Sequence, residues 1–180
     1  SQSPRRQALL QQLGVNFSVA HANIDETPRP DEAPLDYVQR IAQEKAQAIA
    51  LQYPQAAILA ADTSVIIGQN ILGKPDTSAA ARIMLQQLAG ATHQVITAIA
   101  LHHQGDTQTH AIVTEVDFGP IDDADIQDYI QTPEPYDKAG AYGIQGHAAQ
   151  WISAIRASYY GVMGLPLYET RLLLKQAGLI

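Results

Sequence analysis

The sequence contains no cysteine, and this absence removes several classes of chemistry at once. Without cysteine, a disulfide framework, a thiol nucleophile and a cysteine-ligated zinc site are all excluded. No apolar run approaches the roughly 18 residues that a membrane span needs, and no signal-peptide pattern opens the chain. The absence of cysteine is compatible with a reducing cytoplasm, and the chain has no candidate membrane span. We therefore expect a cytoplasmic protein without a membrane partner.

Positive charge is scarce as well, with 11 lysine and arginine residues against 18 acidic residues and a formal net charge of −7. A nucleic-acid-binding protein normally presents a basic face, so we expect no nucleic-acid partner. A small anionic ligand is still compatible with this composition if the few cations converge at one place. Hydrophobic residues make up 46% of the chain, which is enough for a sizeable core.

What is present is a regular alternation of helix and strand patterns. Apolar residues at helical spacing, with capping residues and glycines at the ends, predict helices over 3–14, 35–51, 79–89, 122–131 and 166–178. Alternating or continuous apolar runs predict strands over 15–19, 56–61 and 148–157, two short strands about a Gln-Asn turn over 64–73, and a hairpin formed by 93–101 and 107–118. Interleaved helices and strands indicate an α/β chain with a mixed sheet. Because no linker or repeat is found, we expect one compact unit over 1–180, with two lobes and a cleft.

Asp62 directly follows a short apolar run, AAILAA at 56–61, that is typical of a buried central strand. A carboxylate at the carboxyl end of such a strand lies where open α/β sheets bind their ligands. Thr63 and Ser64 add two hydroxyl groups at the same edge. The alternative is that Asp62 only caps the following turn, and the pattern leaves both interpretations open.

Three cations stand at positions that a purely structural role explains poorly. Lys45 falls on the apolar stripe of the helix predicted over 35–51, so its ammonium group must reach the surface, pair with an acid such as Glu26, or point into a cleft. Arg5 and Arg6 lie in the first turn of the first helix, where the helix dipole disfavours cations. An anionic ligand at this N-terminus would explain the two arginines, and a solvated surface pair is the alternative.

The segment GQNILGKP at 68–75 matches the spacing of a phosphate-binding loop except at its last position. Pro75 stands where a serine or threonine hydroxyl should contact magnesium, and proline also removes a backbone N–H. A true phosphate loop is therefore rejected, although Lys74 remains a candidate phosphate contact. The six histidines show no metal-ligand spacing, so any metal would be a hard ion held by carboxylates and substrate phosphates.

Eight short segments follow one another in a recognisable order. They are SPRR (3–6), IDE (24–26), EKA (44–46), AADT (60–63), ILGKP (71–75), HQVIT (93–97), DKAGAYGIQG (137–146) and GLPL (164–167). Together they resemble the Maf family of nucleotide pyrophosphatases. The resemblance implies an α/β fold with an elongated mixed sheet flanked by helices and two lobes around a deep cleft, similar to the inosine triphosphate pyrophosphatases. Members of the family usually begin with a short apolar strand before the first motif, so we expect that strand to be missing before Ser1.

The resemblance also implies an activity. It implies hydrolysis of a nucleoside triphosphate between the α and β phosphates, giving a monophosphate and pyrophosphate, with Mg²⁺ or Mn²⁺ as the cofactor. The form DKAGAYGIQG resembles the branch that acts on dTTP and UTP, with modified pyrimidine triphosphates left open as substrates. The branch that acts on 7-methyl-GTP has a different segment there. The sequence leaves a homodimer open.

The resemblance assigns roles to residues by position. Asp62 corresponds to the general base that would activate the attacking water. The positions implied in substrate binding and substrate choice are Arg5, Arg6, Lys45, Thr63, Lys74, Lys138 and Gln145. The positions implied in metal binding are Glu26, Asp62 and Asp137. We expect the glycines at 140, 143 and 146 to let the backbone approach a bound nucleotide.

Three functions therefore compete. The leading one is a dTTP/UTP pyrophosphatase of nucleotide metabolism. The second is an NTPase built on the segment 68–75, which would release orthophosphate. The third is a nucleotide-sensing regulator of cell division and septum formation with little catalysis. A base at Asp62 favours an enzyme, because binding alone requires no base.

Overall fold

The computed structural model describes residues 1–180 and contains six α-helices and five strands. In chain order they are α1 (Pro4–Gln12), α2 (Pro34–Ala50), β1 (Ile58–Ile67), β2 (Asn70–Leu72), α3 (Ser78–Leu88), β3 (Thr92–His103), β4 (Asp106–Phe118), α4 (Asp123–Tyr129), β5 (Ile152–Arg156), α5 (Tyr159–Val162) and α6 (Leu167–Gln176). Three short 3₁₀ helices, Glu134–Asp137, Ala139–Ala141 and His147–Trp151, lie between α4 and β5. The predicted interleaving of helices and strands is confirmed.

The five strands form one sheet in the order β2-β1-β3-β4-β5. β1 pairs with β2, and β4 pairs with β5, in antiparallel register. Two-residue turns join β1 to β2 and β3 to β4, and Gln104 and Gly105 in the second turn both have positive φ, as a tight hairpin requires. The predicted α/β chain with a sheet flanked by helices is confirmed. The sheet itself is antiparallel where a mixed sheet was expected: hairpins join β1 to β2 and β3 to β4, and β5 pairs antiparallel with β4 although α4 and three 3₁₀ helices lie between them in the chain.

Helix starts follow the capping chemistry of the sequence. The side chain of Ser3 accepts a hydrogen bond from the N–H of Arg6, and Pro4 occupies the first position of α1. Thr77 caps α3 in the same way, through the N–H of Ala80. Arg5 and Arg6 therefore lie in a properly formed first turn, as the sequence predicts.

The strand predicted over 15–19 is wrong, because these residues belong to no helix or strand. Their side chains do alternate, with Val15 and Phe17 partly buried and Asn16 and Ser18 exposed. Alternation indicates which side chains are buried, but a strand also needs a neighbour that pairs with its backbone. The strand predicted over 148–157 is shorter than expected, since the 3₁₀ helix His147–Trp151 takes its first half.

The chain divides into two compact units, and each has its own buried side chains. The first unit comprises Ser1–Thr63, Thr97–Ile112 and Tyr160–Ile180, and the second comprises Ser64–Ile96 and Val113–Tyr159. The core of the first unit is built from apolar side chains of α1, β1, β3 and α6, namely Leu9, Ala61, Ile99, Leu101, Leu173 and Leu174, with Leu165 from the preceding loop. In the second unit α3 packs against α4. The expected single domain and the cleft between two lobes stay predictions.

Candidate active site

Three residues that the sequence singled out converge in the first unit. Lys45 extends from α2, and its Nζ lies 2.8 Å from Oδ1 of Asp62 and 2.9 Å from Oε2 of Glu26. Of the alternatives for Lys45, the structure therefore shows the pair with acids. Asp62 lies within β1 and is only 7% exposed, so its charge needs this partner. Lys45 binds one of the two carboxylate oxygens of Asp62, Oδ1.

Helix α2 explains why a lysine reaches this position. Ala42, Ala46 and Ile49 are buried, and they lie within one turn of Lys45 on the same face. This packing carries the aliphatic stem of Lys45 into the protein and leaves its side chain 18% exposed. Two carboxylates then compensate for the buried ammonium group.

The loop that carries Glu26 is fixed to α2 by hydrogen bonds. The hydroxyl of Tyr37 donates to the backbone carbonyl of Glu26 at 2.9 Å. Arg40 donates to both carboxylate oxygens of Glu32, at 2.5 and 2.7 Å, and to the carbonyl of Thr27. The hydrogen bond from Arg40 lowers the pKa of Glu32 to about 2, and burial with nearby acids raises the pKa of Tyr37 to about 12. At neutral pH both residues therefore hold the loop in place.

The guanidinium group of Arg6 donates hydrogen bonds to residues of the first unit. Nε donates to the carbonyl of Gly164 at 2.8 Å, Nη1 donates to the carbonyl of Ala61 at 3.0 Å, and Nη2 donates to Oγ1 of Thr63 at 2.9 Å. A longer contact, 3.4 Å, joins Nη1 to Oγ of Ser1. Burial lowers the pKa of Arg6, and the charge of the nearby aspartate opposes that effect. Of the five N–H donors of arginine, one on Nη2 is left for a ligand.

Thr63 stands in a directional chain of hydrogen bonds. The hydroxyl of Thr97 donates to the carbonyl of Gly161 at 2.7 Å, and the hydroxyls of Thr63 and Thr97 lie 2.9 Å apart. Since Thr97 has already used its only proton, Thr63 must be the donor in their shared bond. Thr63 also accepts from Arg6. Towards a ligand, the hydroxyl of Thr63 can therefore act only as an acceptor.

Four of the predicted site residues belong to the second unit. Nζ of Lys138 lies 2.5 Å from Oδ1 of Asp137 and donates to the carbonyl of Glu134 at 2.8 Å. The side chains of Lys74 and Gln145 are exposed. A pocket of about 480 Å³ lies beside this group and is lined by Thr132, Pro133, Glu134, Asp137, Lys138 and His147. Within the second unit, the structure thus brings Asp137 and Lys138 together at a pocket.

The glycines of DKAGAYGIQG are required by contacts inside the protein. Gly140 has a φ of 71°, and a Cβ atom there would lie 2.9 Å from the side chain of Val65. A Cβ atom at Gly146 would lie 2.1 Å from Oε1 of Glu134. At Gly140 and Gly146, the atoms that lie close to the glycine backbone in the structure are therefore those of the Val65 and Glu134 side chains.

The described residues contain no group of three or more histidine and acidic side chains that could hold a metal by itself. Glu26 and Asp62 do share one partner, which places two carboxylates around the ammonium group of Lys45. Magnesium is commonly bound by one or two carboxylates together with substrate phosphates. The donor set of Glu26 and Asp62 therefore fits a hard divalent ion that a triphosphate helps to bind.

Sequence reasoning missed three residues that the structure places around the predicted ones. The hydroxyl of Tyr37 contacts Glu26, and the hydroxyl of Thr97 contacts Thr63. In the sequence, the only signal for either residue is a hydroxyl side chain at a buried position of a predicted helix or strand. Glu134 was also missed, although it stands three residues before Asp137.

Comparisons with known proteins agree with the motifs. The family model described as Maf-like protein matches residues 1–177. The dTTP/UTP pyrophosphatase of Halalkalibacterium halodurans is 48% identical over 178 residues, which cover 99% of this chain and 94% of that protein. The proteins of the same name from Aromatoleum aromaticum and Colwellia psychrerythraea are 46% and 48% identical over 192 and 185 residues. These matches cover 99% and 100% of this chain, and 93% and 87% of the two relatives. By motif order, family model and full-length similarity, this chain belongs to the Maf family.

Proposed function

We propose that this protein hydrolyses dTTP and UTP to the nucleoside monophosphate and pyrophosphate. The observation that carries the proposal is the arrangement of Asp62, Lys45 and Glu26, in which a buried carboxylate lies 2.8 Å from a cation that a second carboxylate also holds. The names of the relatives supply the substrate class. A cytoplasmic location and the absence of a nucleic-acid partner are part of the same proposal.

Asp62 is the residue that would activate water. Its carboxylate accepts a proton from a water molecule, and the resulting hydroxide attacks the α-phosphorus. The bond between the α-phosphorus and the α–β bridging oxygen breaks, so pyrophosphate leaves with the bonding electron pair. The positive charge of Lys45 stabilises the negative charge that develops as this bond breaks. A divalent metal ion bound by Glu26 and Asp62 would supply further neutralisation of the phosphate oxygens.

The remaining assignments are proposed on the family motifs. They give phosphate or substrate contacts to Arg5, Arg6, Lys74 and Lys138, a share in metal binding to Asp137, and base recognition to Thr63 and Gln145. Thr63 adds a physical reason, because its hydroxyl can only accept. The N3 position of thymine and uracil carries a proton to donate, whereas N3 of cytosine accepts. An acceptor-only hydroxyl that faces N3 therefore favours thymine and uracil over cytosine.

Product analysis tests the proposal directly. The purified protein is incubated with dTTP, UTP, CTP, ATP or 7-methyl-GTP, each with Mg²⁺ or Mn²⁺, and pyrophosphate and orthophosphate are measured separately. We expect pyrophosphate from dTTP and UTP and little product from 7-methyl-GTP. Orthophosphate as the product, or a preference for 7-methyl-GTP, would contradict the proposal. Tight nucleotide binding without turnover would favour the nucleotide-sensing regulator.

A further inference from the structure

The carboxylate of Glu134 lies inside the turn formed by residues 143–148. Its Oε2 accepts a hydrogen bond from the N–H of His147 at 2.8 Å, and its Oε1 accepts from the hydroxyl of Tyr129 at 2.9 Å. A longer contact of 3.5 Å joins Oε1 to the N–H of Ala148. Burial, followed by the hydrogen bond to Glu134, raises the pKa of Tyr129, so its hydroxyl stays a donor. One carboxylate thus satisfies two backbone donors of the turn.

The backbone of Glu134 is held as well. Nζ of Lys138 donates to the carbonyl oxygen of Glu134 at 2.8 Å, and Lys138 also pairs with Asp137. The turn is closed on its other side by a hydrogen bond from the N–H of Gly146 to the carbonyl of Gly143, 3.1 Å long. Glu134 is therefore fixed at its main chain and its side chain, which makes it a rigid support for the turn.

Gly146 shows how closely the turn fits this support. A Cβ atom at Gly146 would lie 2.1 Å from Oε1, 2.2 Å from Cδ and 2.4 Å from Oε2 of Glu134. These distances are far below any van der Waals contact. The backbone of Gly146 has a φ of −103°, which is outside the left-handed region that favours glycine. The overlap with Glu134 is therefore the main reason that glycine is needed here.

Gln145 lies inside this supported turn, directly before Gly146, and its side chain is exposed. We infer that Glu134 is a positioning residue for nucleobase selection, which acts by fixing the turn that presents Gln145. This inference rests on the proposed function, in which Gln145 recognises the pyrimidine base. An amide must be held in one orientation to discriminate between bases, because both of its ends form hydrogen bonds.

Thermal unfolding tests the contact between Glu134 and Gly146. Gly146→Ala should lower the Tm by about 5 °C, the effect of one overpacked site in a chain of this size. In a Glu134→Ala background the same change should lower the Tm by less than about 2 °C, because the overlapping atoms are gone. Gly119→Ala is the matched control, since a Cβ atom there would meet its nearest neighbour, the carbonyl of Trp151, at an ordinary 3.7 Å.

Steady-state kinetics test the effect on selection. Glu134→Ala should lower the kcat/KM for dTTP and UTP about tenfold through KM, with kcat within about twofold of the wild type. The ratio of kcat/KM for dTTP to that for CTP should fall by a similar factor. Glu134→Gln keeps one carbonyl acceptor and should give an intermediate ratio. Asp128→Ala, which removes an exposed carboxylate of α4, should change neither value.

Two results would overturn the inference. One is an equal loss of Tm from Gly146→Ala in both backgrounds, and the other is an unchanged dTTP-to-CTP ratio in Glu134→Ala. A wild-type protein that releases no pyrophosphate from dTTP or UTP would instead overturn the proposed function, and the unfolding experiment would still report on the contact with Glu134. The two failures are therefore distinguishable.

Discussion

At the residue scale, the ion group around Lys45 has an unusual charge balance. One ammonium group faces two carboxylates, so the group as a whole carries one negative charge. The nearby guanidinium of Arg6 hydrogen-bonds to two carbonyls and two hydroxyls, which are neutral, so its positive charge remains and the four side chains together carry no net charge. Such a site does not by itself attract a triphosphate. This balance gives a physical reason why the proposed reaction depends on a divalent ion.

Asp62→Asn separates the chemical role of Asp62 from its structural role. Asparagine keeps an oxygen that can accept the hydrogen bond of Lys45, but its amide cannot take a proton from water. We expect pyrophosphate release to fall at least about 100-fold, the usual scale for a general base, with nucleotide binding largely kept. Turnover and calorimetric binding are measured on the same preparation.

Asp36→Asn is the control for this variant, because Asp36 is an exposed acid in the first turn of α2. It should leave turnover close to that of the wild type. Turnover of Asp62→Asn within a few-fold of the wild type would remove Asp62 from the role of general base.

At the element scale, α2 and the loop before it act as one structure. The buried face of α2 carries Lys45, while its first two turns carry Tyr37 and Arg40, which hold the loop that presents Glu26. The sequence predicted the helix from its apolar spacing. It did not predict that the helix fixes the loop, because those contacts depend on how long side chains fold back over the helix.

Tyr37→Phe should loosen the loop without disturbing the core. The variant loses only the hydrogen bond to the carbonyl of Glu26, since the ring of Tyr37 stays buried. We expect the Tm to fall by about 2–4 °C, the effect of one lost hydrogen bond in a chain of this size, and kcat/KM to fall several-fold. Tyr168→Phe, which removes the hydroxyl of a 71% exposed tyrosine, is the control. A variant that loses stability but keeps full activity would show that Glu26 needs no such support.

Different elements were predictable to different degrees, for physical reasons. Helix α1 was predictable because Ser3 and Pro4 supply local capping chemistry. The strand expected over 15–19 was not, since pairing depends on a distant neighbour. The contact between Glu134 and Gly146 was equally hidden, because it joins irregular segments that no periodic pattern describes. The sequence therefore located the family motifs, which the family model confirms, but not the residues that contact them in the structure.

At the scale of the whole molecule, a net charge of −7 with only 11 lysine and arginine residues makes the position of each cation informative. The structure shows Arg6, Lys45 and Lys138 bonded to acceptors within their own units. Cations with fixed partners are held in one geometry before any ligand arrives. Preorganisation of this kind, rather than an excess of positive charge, is what the molecule offers to an anionic substrate.

Global stability should depend on a buried histidine that has no part in the proposed reaction. His93 is 2% exposed, its Nε2 lies 2.7 Å from the hydroxyl of Tyr142, and its ring packs edge-on against Phe118 and Tyr142. Burial lowers its pKa from 6.5 to about 4, with Asp117 opposing the effect. Between these two values the unfolded chain binds a proton that the folded chain does not, so stability falls as the pH falls.

Lowering the pH from 7.5 to 5 should therefore reduce the free energy of unfolding of the wild type by about 2 kcal/mol through His93, in addition to the effects of other groups. His93→Gln stays neutral at both pH values and lacks this contribution. Urea unfolding at the two pH values should show the difference in stability between wild type and variant shrink by about 2 kcal/mol at pH 5. The exposed His110, replaced by glutamine, should leave the pH dependence of the wild type unchanged. If His93→Gln and the wild type lost the same free energy on acidification, His93 would have to be charged in the folded core at pH 5. The aromatic cluster that buries it would then have to admit water.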